Sequence, residues 1–340
     1  MSSVGVPRAL YYYQYFPLLE AFFEHLGAEV VLSAPTTKAT LLTGGSRLVT
    51  DTCLPVKVFI GHCLSLVEKC DYIFVPSIRC TRYKTYYCSK FLGLPDLVRA
   101  AVPECPTILN IHMDIDRGLK DMGRSIHRLR KYFNDKSGDD LKDACSDGLK
   151  ALSNYRKLML TEQLTPPQAL KRVAGAPQAH PKFTCQSGRK LRVLVIAHPY
   201  ILYDDFINHH LVNYLHRSGC EVSVPEMLAH EEMGNAVVNT MGRIYWEYED
   251  VLVGAAEVYS RENRDKIDGV IALTVFGCGP DSLMVDIARR RIQAKNIPFI
   301  NMMLDEHVAE AGLITRLEAF LDMIQRKREK DYASGCTSPR

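Results

Sequence analysis

Eleven cysteines, at positions 53, 63, 70, 80, 88, 105, 145, 185, 220, 278 and 336, are the residues of this 340-residue chain best suited to chemistry. Cys53 stands two residues before Pro55, and an apolar-periodic run follows through Leu66. Proline is well placed at the first helical position, so Cys53 is predicted at or just before a helix N-terminus. There the unpaired N–H groups and the positive dipole end favour a thiolate, which suits metal ligation or nucleophilic work. The competing explanation is a small buried residue capping a core helix. Cys278 repeats the setting: it follows an apolar strand pattern, lies between Gly277 and Gly279, and stands two residues before Pro280. Its glycines allow a bulky ligand to approach the backbone. Two cysteines in the same strand–loop–helix setting, one in each half of the chain, favour function over core filling.

Cys80 and Cys88 lie between them, in a loop expected over 76–95. Three dispersed thiols, Cys53, Cys88 and Cys278, suit an iron–sulfur cluster with one iron left open, [4Fe-4S] being the expected form. Zinc held by the same three with His62 as fourth ligand is the alternative. Cys80 as a fourth ligand would instead make an electron carrier. No C-x-x-C occurs, which argues against a zinc ribbon, a thioredoxin-type motif and a ferredoxin-type run. Around the cysteines, Lys57, Gly61 and His62 share the Cys53 helix and are placed to orient a cluster or an anionic substrate. Glu306 and His307, after a predicted strand, are candidate acid/base groups or partners of the ligands. Asp281, Ser282 and Arg316 are candidates for substrate binding, with an Arg316–Glu318 ion pair as the equal alternative for Arg316. His198 before Pro199 is a further candidate. Cys63, Cys70, Cys105, Cys145 and Cys220 read as packing, and Cys185 and Cys336 as linker and tail residues.

The elements that must position these residues follow a repeated grammar. A short apolar run over 6–13, a helix over 17–26, Gly27 and a strand over 28–32 open a βαβ unit. A polar loop over 33–52 leads to Cys53, a helix over 55–69 follows, and strands are expected over 72–75 and 107–110. Residues 117–164 read as helical throughout, with Leu141, Cys145, Leu149 and Leu152 on one face. The proline-interrupted stretch 165–189 reads as a linker. The opening then recurs: strand 191–197, helix 204–217, Gly219 and strand 220–224. A helical region over 241–266, strand 269–274, helix to 295, strand 297–302 and a last helix over 309–328 complete it. The expected fold is α/β, two similarly wired Rossmann- or flavodoxin-like three-layer domains, 1–116 and 190–330. A helical segment (117–164) and a linker (165–189) connect them, and 331–340 is a flexible tail. In such folds ligands bind beyond the C-terminal ends of the strands, so the cluster is expected in the interdomain cleft.

Composition bounds the alternatives. A hydrophobic content of 47% and a charged content of 24% describe an ordinary soluble chain, and a net charge of +3 is too small to argue for nucleic acid. The basic runs 289–291 and 326–330 fall late in helical patterns, where cations complement the dipole. No run approaches a membrane span, and the first residues do not read as a leader, so a cytosolic location with reduced thiols is expected.

Four motifs carry a family likeness: Cys53-Leu-Pro-Val-Lys57 with Gly61-His62, Cys88-Ser-Lys-Phe-Leu-Gly-Leu-Pro-Asp96, Gly277-Cys-Gly-Pro-Asp-Ser282, and Asp305-Glu-His307 with Thr315-Arg-Leu-Glu-Ala-Phe320. In these the chain resembles acyl-CoA dehydratase activase-related proteins, and is distantly similar to D-component subunits of 2-hydroxyacyl-CoA dehydratases and benzoyl-CoA reductases. Ser89 stands where that pattern has proline. The resemblance implies a cluster on three cysteines between two α/β domains, an ATP-dependent activator as electron donor, and anaerobic metabolism. It also implies an open iron that takes an acyl-CoA thioester carbonyl; separately, the helix-rich segment between the domains is a candidate surface for a homo- or heterodimer. The chain carries no phosphate-binding glycine loop, so any ATP step belongs to a partner. The expected function is low-potential electron transfer or reductive activation of a substrate. A non-catalytic scaffold or assembly partner is the alternative, with a zinc hydrolase using Glu306 or His307 behind it.

Overall fold

The computed structural model describes residues 1–133, 139–175, 190–261 and 267–335. The chain divides into two compact units: unit 1 is Met1–Gln178 with Arg243–Glu249, and unit 2 is Ala179–Gly242 with Asp250–Arg340. Cys185 and Cys336 lie outside the described residues.

Unit 1 runs β1 (Ser3–Val6), α1 (Tyr12–His25), β2 (Glu29–Leu32), α2 (Lys38–Gly45), α3 (Leu54–Leu66), β3 (Tyr72–Phe74), β4 (Ser77–Cys80), α4 (Ser89–Leu92), α5 (Leu94–Ala101), β5 (Thr107–Leu109), β6 (His112–Asp114), α6 (Leu119–His127), α7 (Asp139–Glu162) and α8 (Pro166–Val173). Its main sheet is parallel in the order β2-β1-β3-β5, and β4 pairs with β6 in a small parallel sheet. Val4, Val6, Ile73 and Leu109 are fully buried, as expected of parallel strands covered on both faces. The helical segment belongs to this unit: α7 lies along α1, and the buried Tyr155 hydroxyl donates to the Tyr13 carbonyl at 2.7 Å.

Unit 2 runs β7 (Leu191–Ile196), α9 (Pro199–Leu202), α10 (Leu211–Arg217), β8 (Cys220–Ser223), α11 (His230–Met241), α12 (Ala255–Tyr259), β9 (Gly269–Val275), α13 (Gly279–Ala294), β10 (Phe299–Leu304) and α14 (Glu310–Gly335), with a π-helical turn over Asp250–Gly254. Its sheet is parallel, β10-β9-β7-β8, and all seven residues of β9 are buried. In both units the first strand of the sheet lies between the second and third, with the fourth outside the third. No helix among the described residues is long and apolar enough to cross a membrane.

Several elements depart from the expected pattern, each for a local reason. The polar loop 33–52 contains α2, started by a Thr37–Thr40 capping box. The linker expected over 165–189 opens as α8, because Thr165 caps it and prolines occupy its first turn. The expected helix 204–217 is shortened to α10: the Asp204 and Asn208 side chains take the backbone N–H groups of Phe206, Ile207 and Leu211 into a turn. The expected helix 241–266 is broken at Gly242, whose φ of 82° ends α11. The face of α7 that is buried runs through Leu141, Ala144, Gly148, Leu152, Tyr155 and Met159, which leaves Leu149 exposed and Cys145 partly so.

Candidate functional site

Cys53, Cys88 and Cys278 are the N-cap residues of α3, α4 and α13. Cys53 and Cys278 precede the helix in an extended conformation, and none of the three gives a hydrogen bond from its side chain to the cap. Serine, threonine, aspartate or asparagine at such a position contributes about 1 kcal/mol through that bond. Cysteine at three N-caps forgoes it and leaves each sulfur directed elsewhere. Cys53 and Cys278 are partly exposed and Cys88 is exposed. Sulfur donors of this kind, on loops at helix starts, fit an iron–sulfur cluster or zinc.

In unit 1 the Cys53 loop is held from three sides. α2 and α3 touch backbone to backbone: a Cβ on Gly61 would stand 1.9 Å from the Thr40 carbonyl oxygen, and one on Gly44 2.0 Å from that of Lys57. Gly61 is therefore accounted for by helix packing. The buried Lys57 ammonium donates to the Thr50 carbonyl at 2.8 Å and so ties down the loop that delivers Cys53. His62 is buried against the Thr36 hydroxyl at 2.9 Å. Burial, with the Arg8 charge adding to it, lowers its pKa from 6.5 to about 4, so the ring is neutral at neutral pH. From the Cys88 side, Lys90 on α4 places its Nζ 3.5 Å from the Cys53 Sγ. Sequence reasoning missed this contact; its signal was a lysine two residues after Cys88.

The loop ahead of Cys88 is fixed by residues 245–248 of the same unit. Tyr86 N donates to the Tyr245 carbonyl, Glu247 N to the Tyr86 carbonyl, and Arg82 meets Glu247 at 3.2 Å. Cys80 takes a different position. It is buried at the end of β4, its Sγ donates to Asp114 Oδ1 at 3.2 Å, and burial pushes its pKa up. Cys80, Asp114 and Asp116 are a group of three potential metal ligands within 4.8 Å of one another. Arg79 holds Asp114 at 2.9 Å and lies 3.6 Å from Asp116, and Arg117 lies 3.4 Å from Asp114, so two guanidinium groups face the two carboxylates. Burial also keeps Cys63 and Cys70 protonated and pushes Cys105 up to about 11, as packing thiols require.

In unit 2 Cys278 follows β9 directly. Gly277 has a φ of 78°, a conformation that favours glycine, and Cβ atoms at Gly277 and Gly279 would both meet open space. Ser282 donates from its hydroxyl to the Cys278 carbonyl at 2.9 Å. Asp281 is buried and pairs through Oδ1 with His198 Nε2 at 2.8 Å. Nearby in the wiring, Tyr203 donates to Glu226, a residue that sequence reasoning did not single out. Burial pushes Glu226 up to about 7 against that hydrogen bond, and its Oε1 is buried with no hydrogen-bond partner. After β10, His307 is 86% exposed and lies 3.8 Å from Glu306. Arg316 donates to the Asn301 carbonyl at 2.9 Å while Glu318 accepts from Tyr214 at 2.8 Å, so the expected Arg316–Glu318 ion pair is replaced by separate partners.

Comparison with known families bears on the whole of this arrangement. The family model for 2-hydroxyglutaryl-CoA dehydratase, D-component, matches residues 254–324, which take in Cys278, Asp281, Glu306, His307 and Arg316. The comparison with curated proteins finds no match. The model described as CoA enzyme activase uncharacterised domain (DUF2229) matches residues 3–228, both Cys53 and Cys88 among them. With that match spanning most of its length, the chain belongs to the CoA enzyme activase uncharacterised domain family.

Proposed function

We propose that Cys53, Cys88 and Cys278 ligate an iron–sulfur cluster, [4Fe-4S] in form, that serves low-potential electron transfer or reductive activation of a substrate. The observation that supports this most strongly is the shared placement: three N-cap cysteines whose sulfurs leave the cap unbonded. The family names, a CoA enzyme activase domain and a 2-hydroxyglutaryl-CoA dehydratase component, support an acyl-CoA as substrate and an activase as partner, and the resemblance adds that this activator is ATP-dependent and donates the electron. In this reading the two units are Rossmann- or flavodoxin-like layers, and the protein works in the cytoplasm under anaerobic conditions as a homo- or heterodimer.

A bound cluster would supply a single electron at low potential. The chain's own residues do the rest. Lys57 and the Gly44–Gly61 contact hold the Cys53 loop, and Lys90 sets a positive charge beside the Cys53 sulfur. Cys80 remains a thiol on Asp114, so the ligand set would be the three cap cysteines, and a cluster held by them would have one iron without a protein thiolate. Asp281, Ser282 and Arg316 are the candidates to meet a substrate, each now held by a partner within its unit: His198, the Cys278 carbonyl and the Asn301 carbonyl.

A second reading, a scaffold or assembly partner with a structural cluster, draws on the exposure of His307, since an acid/base group works best where water is excluded. Anaerobic purification followed by iron and sulfide analysis and EPR tests the cluster. Brown protein with a reducible paramagnetic centre is expected, and a colourless protein with stoichiometric zinc overturns the proposal. Spectral change or turnover with an acyl-CoA and a reduced activator separates enzyme from scaffold.

A further inference from the structure

The loops that leave β7 and β9 carry a buried polar chain that fold stability alone does not explain. β7 and β9 are adjacent and parallel, with Ile196 beside Ala272, so both loops leave the same edge of the sheet. The first delivers His198 as the N-cap of α9, and the second delivers Cys278 as the N-cap of α13. His198, Tyr200 and Asp281 are all buried, Asp281 to 1% exposure. The His198 Nδ1 is hydrogen-bonded to the Tyr200 hydroxyl, and Nε2 lies 2.8 Å from Asp281 Oδ1.

A neutral imidazole offers one donor and one acceptor. An ionised Asp281 only accepts, so Nε2 carries the proton and Nδ1 receives the Tyr200 hydroxyl hydrogen. This tautomer satisfies the Nδ1 contact with Tyr200, while Nε2 meets Asp281 Oδ1 at ion-pair distance without the geometry of a hydrogen bond. The other Asp281 oxygen, Oδ2, is buried without a hydrogen-bond partner. A buried polar pair of this kind contributes little net stability, and an orphaned oxygen costs about 1–3 kcal/mol. A leucine or methionine in place of either residue would serve the sheet as well. What the pair does hold is the first turn of α13, three residues on from Cys278. Gly277 enters that turn at a φ of 78°, and the Cβ positions at Gly277 and Gly279 are open.

We propose that His198, aligned by Tyr200 and paired with Asp281, is a positioning residue that fixes the start of α13 and with it the direction of the Cys278 sulfur. The proposal rests on the reading of Cys278 as a ligand, and it extends the ligand set by a support that reaches from the neighbouring crossover.

The experiment compares wild type with His198→Ala, Asp281→Ala, Asp281→Asn, Tyr200→Phe and Cys278→Ser, each purified anaerobically and checked for folding by circular dichroism. Two readouts are taken: iron release to bathophenanthroline disulfonate together with the EPR line shape, and, in iron-depleted protein, the rate at which iodoacetamide alkylates Cys278 by peptide mass spectrometry. Loss of the pair is expected to speed iron release about tenfold, the usual scale for a group that orients a ligand. It should also alter the EPR line shape and accelerate Cys278 alkylation. Asp281→Asn, which keeps an acceptor for Nε2–H, should restore most of both. Unchanged alkylation and line shape in folded His198→Ala and Asp281→Ala overturn the proposal. Should those two fail to fold, Tyr200→Phe removes only a hydroxyl, and its unchanged alkylation rate is equally fatal. Full iron in Cys278→Ser would instead contradict the ligand reading, while the alkylation series still tests the positioning role.

Discussion

Cys53 and Cys278 have the same local chemistry and different places in their sheets. Each is an N-cap with proline in the following turn. Cys278 comes straight off the third strand of its sheet, whereas Cys53 lies on the crossover between the second and third strands of unit 1, behind the inserted α2. The wiring counterpart of the Cys278 loop is therefore the segment after β3, which carries Cys80 and Cys88. The supports differ to match. Cys53 depends on two helices in backbone contact and on a buried lysine tied to the loop. Cys278 depends on a positive-φ glycine and a His–Asp pair. A cap motif thus reports how a cysteine is presented, and the topology reports what must hold it.

Substitutions that strike one support at a time break this comparison. The largest effect is expected from Gly61→Ala, whose Cβ would run into the Thr40 carbonyl 1.9 Å away. Two backbones must separate, so unit 1 should lose about 3 kcal/mol or more in urea unfolding. Gly279→Ala meets nothing within 4 Å and should stay within about 0.5 kcal/mol of wild type.

The buried titratable groups sharpen the contrast through pH. His62 has a folded pKa of about 4 against an ordinary 6.5, so the unfolded chain binds the extra proton. Its contribution is complete above about 6.5 and is lost as pH falls toward 4, a change of about 3 kcal/mol at 1.36 kcal/mol per unit. Glu226 runs the other way. Its folded pKa of about 7 lies above the ordinary 4.5, so stability is lost as pH rises from 4.5 to 7. The loss is at most about 3 kcal/mol. The two windows overlap and oppose each other, so in unfolding followed from pH 4 to 8 His62→Gln should unmask a loss of stability with rising pH and Glu226→Gln a gain. Identical pH profiles in wild type and both variants would sink this assignment.

Smaller effects follow. Gly277→Ala places a side chain at a φ of 78° and should cost about 1–2 kcal/mol in thermal unfolding. Ser282→Ala removes only an exposed hydrogen bond to the Cys278 carbonyl and should cost about 0.5 kcal/mol or less.

Much of this was legible in the sequence where the signal is local. Pro55 and Pro280 marked the starts of α3 and α13, and apolar runs marked most strands of both sheets to within a few residues, but the run expected over 6–13 overlaps β1 only at Val6 and ends inside α1, which starts at Tyr12. The caps Cys53 and Cys278 followed from the same signals, whereas Cys88 was expected in a loop and proved to be the N-cap of α4. What was not legible depends on distant partners. Cys80 looked like a loop thiol beside Cys88, but pairing of β4 with β6 buries it against Asp114. Residues 243–249 carried a helical pattern, yet Gly242 ends α11 and Tyr86 takes the backbone of Tyr245 and Glu247. Lys57 suggested an anion partner, and its ammonium instead closes the loop at Thr50. His198 and Asp281 each drew notice alone, but their pairing required the β7–β9 register.

The most direct test of the central proposal is iron and acid-labile sulfide per chain in the single-serine series, prepared anaerobically. Cys53→Ser, Cys88→Ser and Cys278→Ser should each lose most of the iron and the EPR signal, while Cys145→Ser and Cys220→Ser keep both. Iron that survives all three of the first substitutions, or that is lost as strongly in Cys80→Ser, would contradict a three-cysteine cluster with an open iron.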